Sequence, residues 1–222
     1  LTPPCSKSYA QRALAAALLS EGVSHLRNIE FCNDTRSALR CIATLGAEVR
    51  QEDAATLVIR GGLRPRGDRL HIGESGLATR LFTPVAALCN TPIRIEGEGS
   101  ILDRPMRMMV EPLRSLGVEI TDTKGYLPIR VCGPMRGGEV SVDGSVSSQF
   151  ITGLLLALPR AAEDTTLYVR RAVSTPYLDM TLDPAGRFGI ETSQRAYEAV
   201  YHPGGQQYEA TGFAVEGDWR HG

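Results

Sequence analysis

Three times along the chain, apolar residues at helical spacing stop at a glycine, and Glu and mostly β-branched residues follow. The junctions are Leu45-Gly46-Ala47-Glu48-Val49, Leu116-Gly117-Val118-Glu119-Ile120 and Phe188-Gly189-Ile190-Glu191-Thr192, with glycines 71 and 72 residues apart. Helical patterns precede them at 34–45, 103–116 and 175–188. Each glycine therefore sits where a helix C-terminus needs a left-handed residue, and a strand is expected after it.

A second set of apolar helices is predicted upstream, at 10–20, 77–88 and 150–158, each with a small polar start: Ser6-Lys7-Ser8, Glu74-Ser75-Gly76 and Ser147-Ser148-Gln149. Strand-like runs at 25–29, 92–96 and 166–170 separate the two helices of each unit, and strands with Gly-rich turns at 56–62, 127–133 and 199–205 close the units. The pattern predicts one α/β domain (α+β in some schemes) over 1–222, built of three βαβαββ-type repeats at about 4–65, 66–135 and 136–215. Runs such as 13–19 and 154–158 are apolar around the whole helix, which requires burial on every side. Helices inside and sheets outside satisfy that. In quasi-threefold geometry the inner helices start at one end, where free N–H groups and partial positive charge favour an anion.

Composition narrows the partners. The 222 residues carry 25 acidic and 24 basic side chains for a formal charge of -1, so no single-sign field recommends nucleic acid or an anionic membrane. Five cysteines, odd in number and without a C-x-x-C pair, suggest neither a zinc site nor a disulfide framework, and fit a reducing compartment. The longest apolar stretch, 150–158, is too short to span a bilayer. The first residues lack the features of a signal peptide, so a cytoplasmic location is expected; a monomer is expected separately.

Lysine is the rare cation, with only Lys7 and Lys124 against 22 arginines. Lys7 is predicted at a helix N-terminus, where a cation is disfavoured unless an anion neutralises it. The plain alternative is a Ser cap with a solvated Lys and an ordinary helix Arg at Arg12. In the second unit Gly73-Glu74-Ser75-Gly76 precedes a helix, and Asp103-Arg104-Pro105-Met106 is expected to open the next, with Pro in its first turn. The third unit sets Ser147, Ser148 and Gln149 at one helix start and Ser174-Thr175-Pro176-Tyr177 at the other. Capping explains each cluster singly; it does not require them at equivalent ends of all three repeats.

The ordered motifs P-x-S-K-S-x-x-x-R-A-L, G-x-S-G-x-x-x-R, D-R-P-M, D-G-S-x-S-S-Q-F, S-x-P-Y-x-D-x-T, G-G-Q-x-Y and V-E-G-D, spanning 4–218, resemble the 5-enolpyruvylshikimate-3-phosphate synthases, also called 3-phosphoshikimate 1-carboxyvinyltransferases. The resemblance implies an inside-out α/β barrel domain and transfer of the enolpyruvyl group of phosphoenolpyruvate to the 5-hydroxyl of shikimate 3-phosphate. That step releases phosphate on the way to chorismate and needs neither metal nor organic cofactor. By matched positions, Lys7, Ser8, Arg12, Ser147, Ser148, Gln149, Ser174 and Tyr177 would hold shikimate 3-phosphate. Lys7, Gly76, Arg104 and Gln149 would face phosphoenolpyruvate, with Lys7 catalytic as an electrostatic stabiliser or a proton carrier.

Two departures qualify the resemblance. The family's G-N-S-G-T is Gly73-Glu74-Ser75-Gly76-Leu77 in this chain, which replaces a hydroxyl near the expected anion by a carboxylate and an apolar group, with Glu74 disfavouring that anion if it points inward and not if it points away. The family enzyme has two domains with its active site between them, and the motifs match the N-terminal one, so the C-terminal domain is expected to be absent and the chain inactive alone. A non-catalytic phosphoshikimate-binding module is the reading from another class. The sister transferase acting on UDP-N-acetylglucosamine typically carries K-N at the first start and a cysteine loop, whereas Leu102-Asp103-Arg104-Pro105-Met106 has no Cys. RNA 3′-phosphate cyclases share the repeat, but their nucleophilic His region is not evident.

Overall fold

The computed structural model describes residues 5–171 and 175–217. The first repeat runs α1 (Lys7–Leu19), β1 (Ser20–Glu21), β2 (Val23–Arg27), α2 (Asn33–Thr44), β3 (Glu48–Gln51) and β4 (Leu57–Arg60). The second runs β5 (Arg69–His71), α3 (Gly76–Ala86), β6 (Ile93–Glu96), 3-10 turns at Gly99–Asp103 and Arg107–Met109, α4 (Val110–Ser115), β7 (Glu119–Thr123) and β8 (Tyr126–Cys132). The third runs β9 (Gly138–Asp143), α5 (Ser148–Ala157), β10 (Thr165–Arg170), α6 (Thr175–Arg187), β11 (Ser193–Arg195) and β12 (Ala199–His202), and the short β13 (Tyr208–Glu209) and β14 (Gly212–Ala214) follow.

Local chemistry sets the helix ends. Ser6, Ser75 and Ser147 cap α1, α3 and α5, their hydroxyls accepting from the N–H of Tyr9 (3.4 Å), Ala78 (3.0 Å) and Phe150 (3.2 Å). Each cap stabilises its helix by about 1 kcal/mol. At the other ends of α2, α4 and α6, Gly46, Gly117 and Gly189 take φ of 125°, 85° and 82°. The next residue's N–H then bonds the carbonyl five back: Ala47 to Ile42, Val118 to Leu113, Ile190 to Ala185. That is the Schellman closure, and it releases the chain into a strand in all three repeats.

Three four-stranded sheets share one order, β14-β2-β4-β3, β5-β6-β8-β7 and β9-β10-β12-β11. In each, the first pair is parallel and the other two are antiparallel. Strand faces alternate: Leu127, Ile129 and Val131 of β8 point to the core, and Tyr126 and Arg130 to water. The sheets wrap the inner helices, of which α1 buries eleven of thirteen residues, α3 ten of eleven and α5 eight of ten. By contrast α2 buries only Thr35, Ser37, Ala38, Cys41 and Ile42, one amphipathic face. Each large apolar side chain buried this way contributes about 1.5–3 kcal/mol. At Gly153 a Cβ would fall 2.4 Å from the Arg80 carbonyl, so its absence lets α5 lie against α3.

Two expectations need correction. The helix predicted over 103–116 is a 3-10 turn ending at Asp103, a break, a second 3-10 turn and the short α4. Pro105 bars its predecessor from helical geometry, and Arg104 is extended at φ -92°, ψ 129°. The third repeat, drawn to 215, yields its last strand to the first sheet, where Gly212, Phe213 and Ala214 pair in parallel with His25, Leu26 and Arg27. The first repeat has no leading strand of its own, and β14 fills the place that β5 and β9 hold in the others.

Candidate functional site

The N-terminal halves of α1, α5 and α6 meet around Arg12, and those of α3 and α5 around Gly76. Arg12, in the second turn of α1, is 1% exposed, yet forms no ion pair among the described residues. Its Nε donates to Thr181 Oγ1 (2.9 Å), Nη1 to the Ser8 carbonyl (2.7 Å) and Nη2 to Thr152 Oγ1 (3.0 Å). Three of five N–H donors are thus taken, leaving two. Burial pulls this guanidinium down to about 10, because a charged group loses hydration there and no anion replaces it.

A second cluster surrounds Gly76, the first residue of α3. A Cβ there would lie 3.0 Å from Nη1 of both Arg104 and Arg80, and 3.4 Å from Gln149 Oε1. The missing Cβ lets both guanidinium groups and the Gln149 amide approach the start of α3 this closely. Arg80 Nη1 donates to Gln149 Oε1 at 2.8 Å, which engages the amide's acceptor and leaves its donors for other partners. The Arg80 guanidinium is lowered first by burial and then by the neighbouring Arg104 cation. Neither arginine has an ion-pair partner among the described residues. Gly76, Arg80, Arg104 and Gln149 thus present a donor-rich, net positive corner suited to a small anion.

The remaining expected residues are placed less tightly. Lys7 begins α1 and is exposed, with no ion pair among the described residues. Ser8 is half-buried and tied to Arg12 through its carbonyl. Ser147 uses its hydroxyl as a cap acceptor, and the half-buried Ser148 accepts through its carbonyl from Thr152 (3.2 Å). Tyr177 is 45% exposed on α6, and its carbonyl accepts from Thr181 (3.2 Å). Ser174 lies outside the described residues. Glu74, a carboxylate of concern for an anion site, accepts from the N–H (3.0 Å) and hydroxyl (2.9 Å) of Ser100, which hold it below the usual carboxylate range. Leu77 is buried in the core.

Three residues at this end had no assigned role from sequence. Arg80 is the last position of G-x-S-G-x-x-x-R and Thr181 the last of S-x-P-Y-x-D-x-T, so both stood inside recognised motifs. Thr152 had no signal beyond its place on α5, because its partner Arg12 is 140 residues away in sequence. Among the described residues no group of three or more His, Cys, Asp or Glu is placed to hold a metal. No described helix is long and apolar enough to cross a membrane.

The family described as EPSP synthase (3-phosphoshikimate 1-carboxyvinyltransferase) matches residues 1–221. A 3-phosphoshikimate 1-carboxyvinyltransferase of Pectobacterium carotovorum subsp. carotovorum is 38% identical over 227 residues, covering 98% of this chain and 53% of the relative. One of Yersinia pestis is 38% identical over 224 residues, covering 97% and 52%. The chain spans about half the length of these curated relatives. The solved EPSP synthase of Acinetobacter baumannii superposes with a TM-score of 0.85 at 24% identity, over 97% of this chain and 49% of that one, a likeness of fold.

Proposed function

The chain belongs to the EPSP synthase family, and from that premise we propose that this end of its helix core is the shikimate 3-phosphate half of an enolpyruvyl transferase site. Shikimate 3-phosphate is held by Ser8, Arg12, Ser147, Ser148, Gln149 and Ser174, with Tyr177 against its ring. Phosphoenolpyruvate lies towards Gly76, Arg104 and Gln149, and Lys7 stands between the substrates. The observation that carries this reading is the buried Arg12 with two free N–H donors and no ion-pair partner among the described residues. A fold keeps an uncompensated buried cation at a cost, and a bound anion offsets it.

In the reaction, the 5-hydroxyl adds to C2 of phosphoenolpyruvate while C3 takes up a proton. The tetrahedral intermediate then loses phosphate and a C3 proton to restore the double bond. Arg104 and Lys7 stabilise negative charge on the transferring group. Turnover requires a second, C-terminal domain closing over this end, whether continuous with this chain or supplied separately.

The test is a titration of the 222-residue chain with shikimate 3-phosphate, paired with a phosphate-release assay on both substrates. Saturable binding without release is expected, with release appearing when the C-terminal domain is added. Absence of binding overturns the proposal. Release by the chain alone overturns the division into halves, and binding that never becomes turnover with the second domain favours a binding module.

A further inference from the structure

Resting on that reading, we propose that Thr152 and Thr181 are positioning residues. They clamp the Arg12 guanidinium between α5 and α6 and so fix the direction of its two remaining N–H donors. The argument starts from burial. Thr152 is 1% exposed and Thr181 0%, so neither hydroxyl can turn to water. Each accepts from Arg12, Thr181 from Nε at 2.9 Å and Thr152 from Nη2 at 3.0 Å, and the two oxygens lie 3.5 Å apart. A hydroxyl that accepts from a cation must direct its own proton elsewhere. Thr152 directs it to the Ser148 carbonyl and Thr181 to the Tyr177 carbonyl, each four residues back on its own helix.

The guanidinium is therefore tied to the first turns of three helices: directly to Ser8 on α1, through Thr152 to Ser148 on α5, and through Thr181 to Tyr177 on α6. Ser8, Ser148 and Tyr177 are the residues proposed to meet the ligand, so one cation sets the relative position of all three supports. A carboxylate in place of either threonine would neutralise Arg12 and remove its attraction for an anion. A neutral hydroxyl orients the fork and leaves its charge for the ligand. Preorganised donors of this kind reduce the ordering needed on binding.

The experiment uses Thr181→Val, Thr152→Val and Thr181→Ser in the whole chain, with Arg12→Ala as the control. The first readout needs no ligand: the Arg12 Nε–H signal in nitrogen-15 NMR, assigned by its loss in Arg12→Ala. It is expected to be protected from solvent exchange in the parent and in Thr181→Ser, and to exchange at least about tenfold faster in Thr181→Val. The second readout is affinity for shikimate 3-phosphate, expected to fall about tenfold or more in each Val variant and to recover to within about twofold in Thr181→Ser. Thr152→Val, read at the Arg12 Nη2–H signals that donate to Thr152, acts from the other helix and serves if Thr181→Val does not fold.

Unchanged protection in the Val variant overturns the clamp. Unchanged affinity in the Val variants, with binding lost in Arg12→Ala, overturns the positioning role while the half-site reading stands. No binding by the parent overturns the half-site reading and the positioning role that rests on it; the exchange rates then decide the clamp alone.

Discussion

Arg12 stands six residues beyond its cap Ser6, and Arg80 five beyond its cap Ser75. One residue rotates a side chain by about 100° around a helix, and the two arginines meet different surroundings. Arg12 turns into the seam between α5 and α6, where two hydroxyls and a carbonyl hold it. Arg80 is half-buried, bonds Gln149 through one nitrogen, and leaves its Nε without a partner among the described residues. Repeats with the same cap and nearly the same cation thus make one rigid fork and one loosely tied charge. The repeat supplies the frame, and the facing helix decides the chemistry.

The sharpest break between them comes from removing each in turn. Arg12→Ala should weaken shikimate 3-phosphate binding by about 3–4 kcal/mol, a several-hundredfold loss by titration calorimetry. Arg12→Met, which fills the space without the charge, should bind as poorly and melt no lower than the parent, because an unpaired buried cation is relieved. A collapse of the thermal midpoint in Arg12→Met would make Arg12 a structural residue and erase the contrast.

Acid separates the site from the scaffold. His202 is fully buried on β12 with neither ring nitrogen hydrogen-bonded among the described residues, and burial pushes it down to about 4. An unfolded His takes up its proton near 6.5, so between that pH and about 4 the unfolded chain binds a proton that the fold refuses. Stability should be full above pH 6.5, fall by about 3 kcal/mol as pH drops to about 4, and then receive no further loss from this residue. Urea unfolding across that window checks it, and His202→Phe should flatten the curve. The carboxylates Glu74, Asp143 and Asp164, whose hydrogen bonds lower them, add losses of stability from about pH 4 downwards. The ligand's phosphate monoester takes up its second proton at about pH 6, so the acid test of the scaffold is read from unfolding without ligand.

Arg80→Met should have the smallest effect. Gln149 loses one bond and the Gly76 corner one of its two cations, for an affinity loss of about 1 kcal/mol with thermal stability changed by less than that. A loss equal to that of Arg12→Ala would show that both cations share one ligand and that the clamp adds nothing.

Much of this was legible along the chain because its signals are local. The glycines at 46, 117 and 189 ended three helices as predicted, since a left-handed residue in a Schellman closure depends only on its neighbours. The serines at 6, 75 and 147 capped three more for the same reason. The helix predicted over 103–116 was misjudged by weighing Pro105 as a first-turn residue, when its effect on Arg104 dominated. That same extended geometry accompanies the approach of Arg104 to Gly76.

What the sequence determined by itself is the repeat, its punctuation, the inward burial of its apolar helices and the family, because periodicity, caps and motifs are written in neighbouring residues. Tertiary structure decided the rest. It brought β14 back to complete the first sheet, turned Glu74 onto Ser100, set Arg80 against Gln149, and closed Thr152 and Thr181 around Arg12. The Arg12 contacts join residues 140 and 169 positions apart. A hydroxyl becomes a partner for a buried cation only when packing removes water and supplies the angle, and neither condition is encoded near either residue.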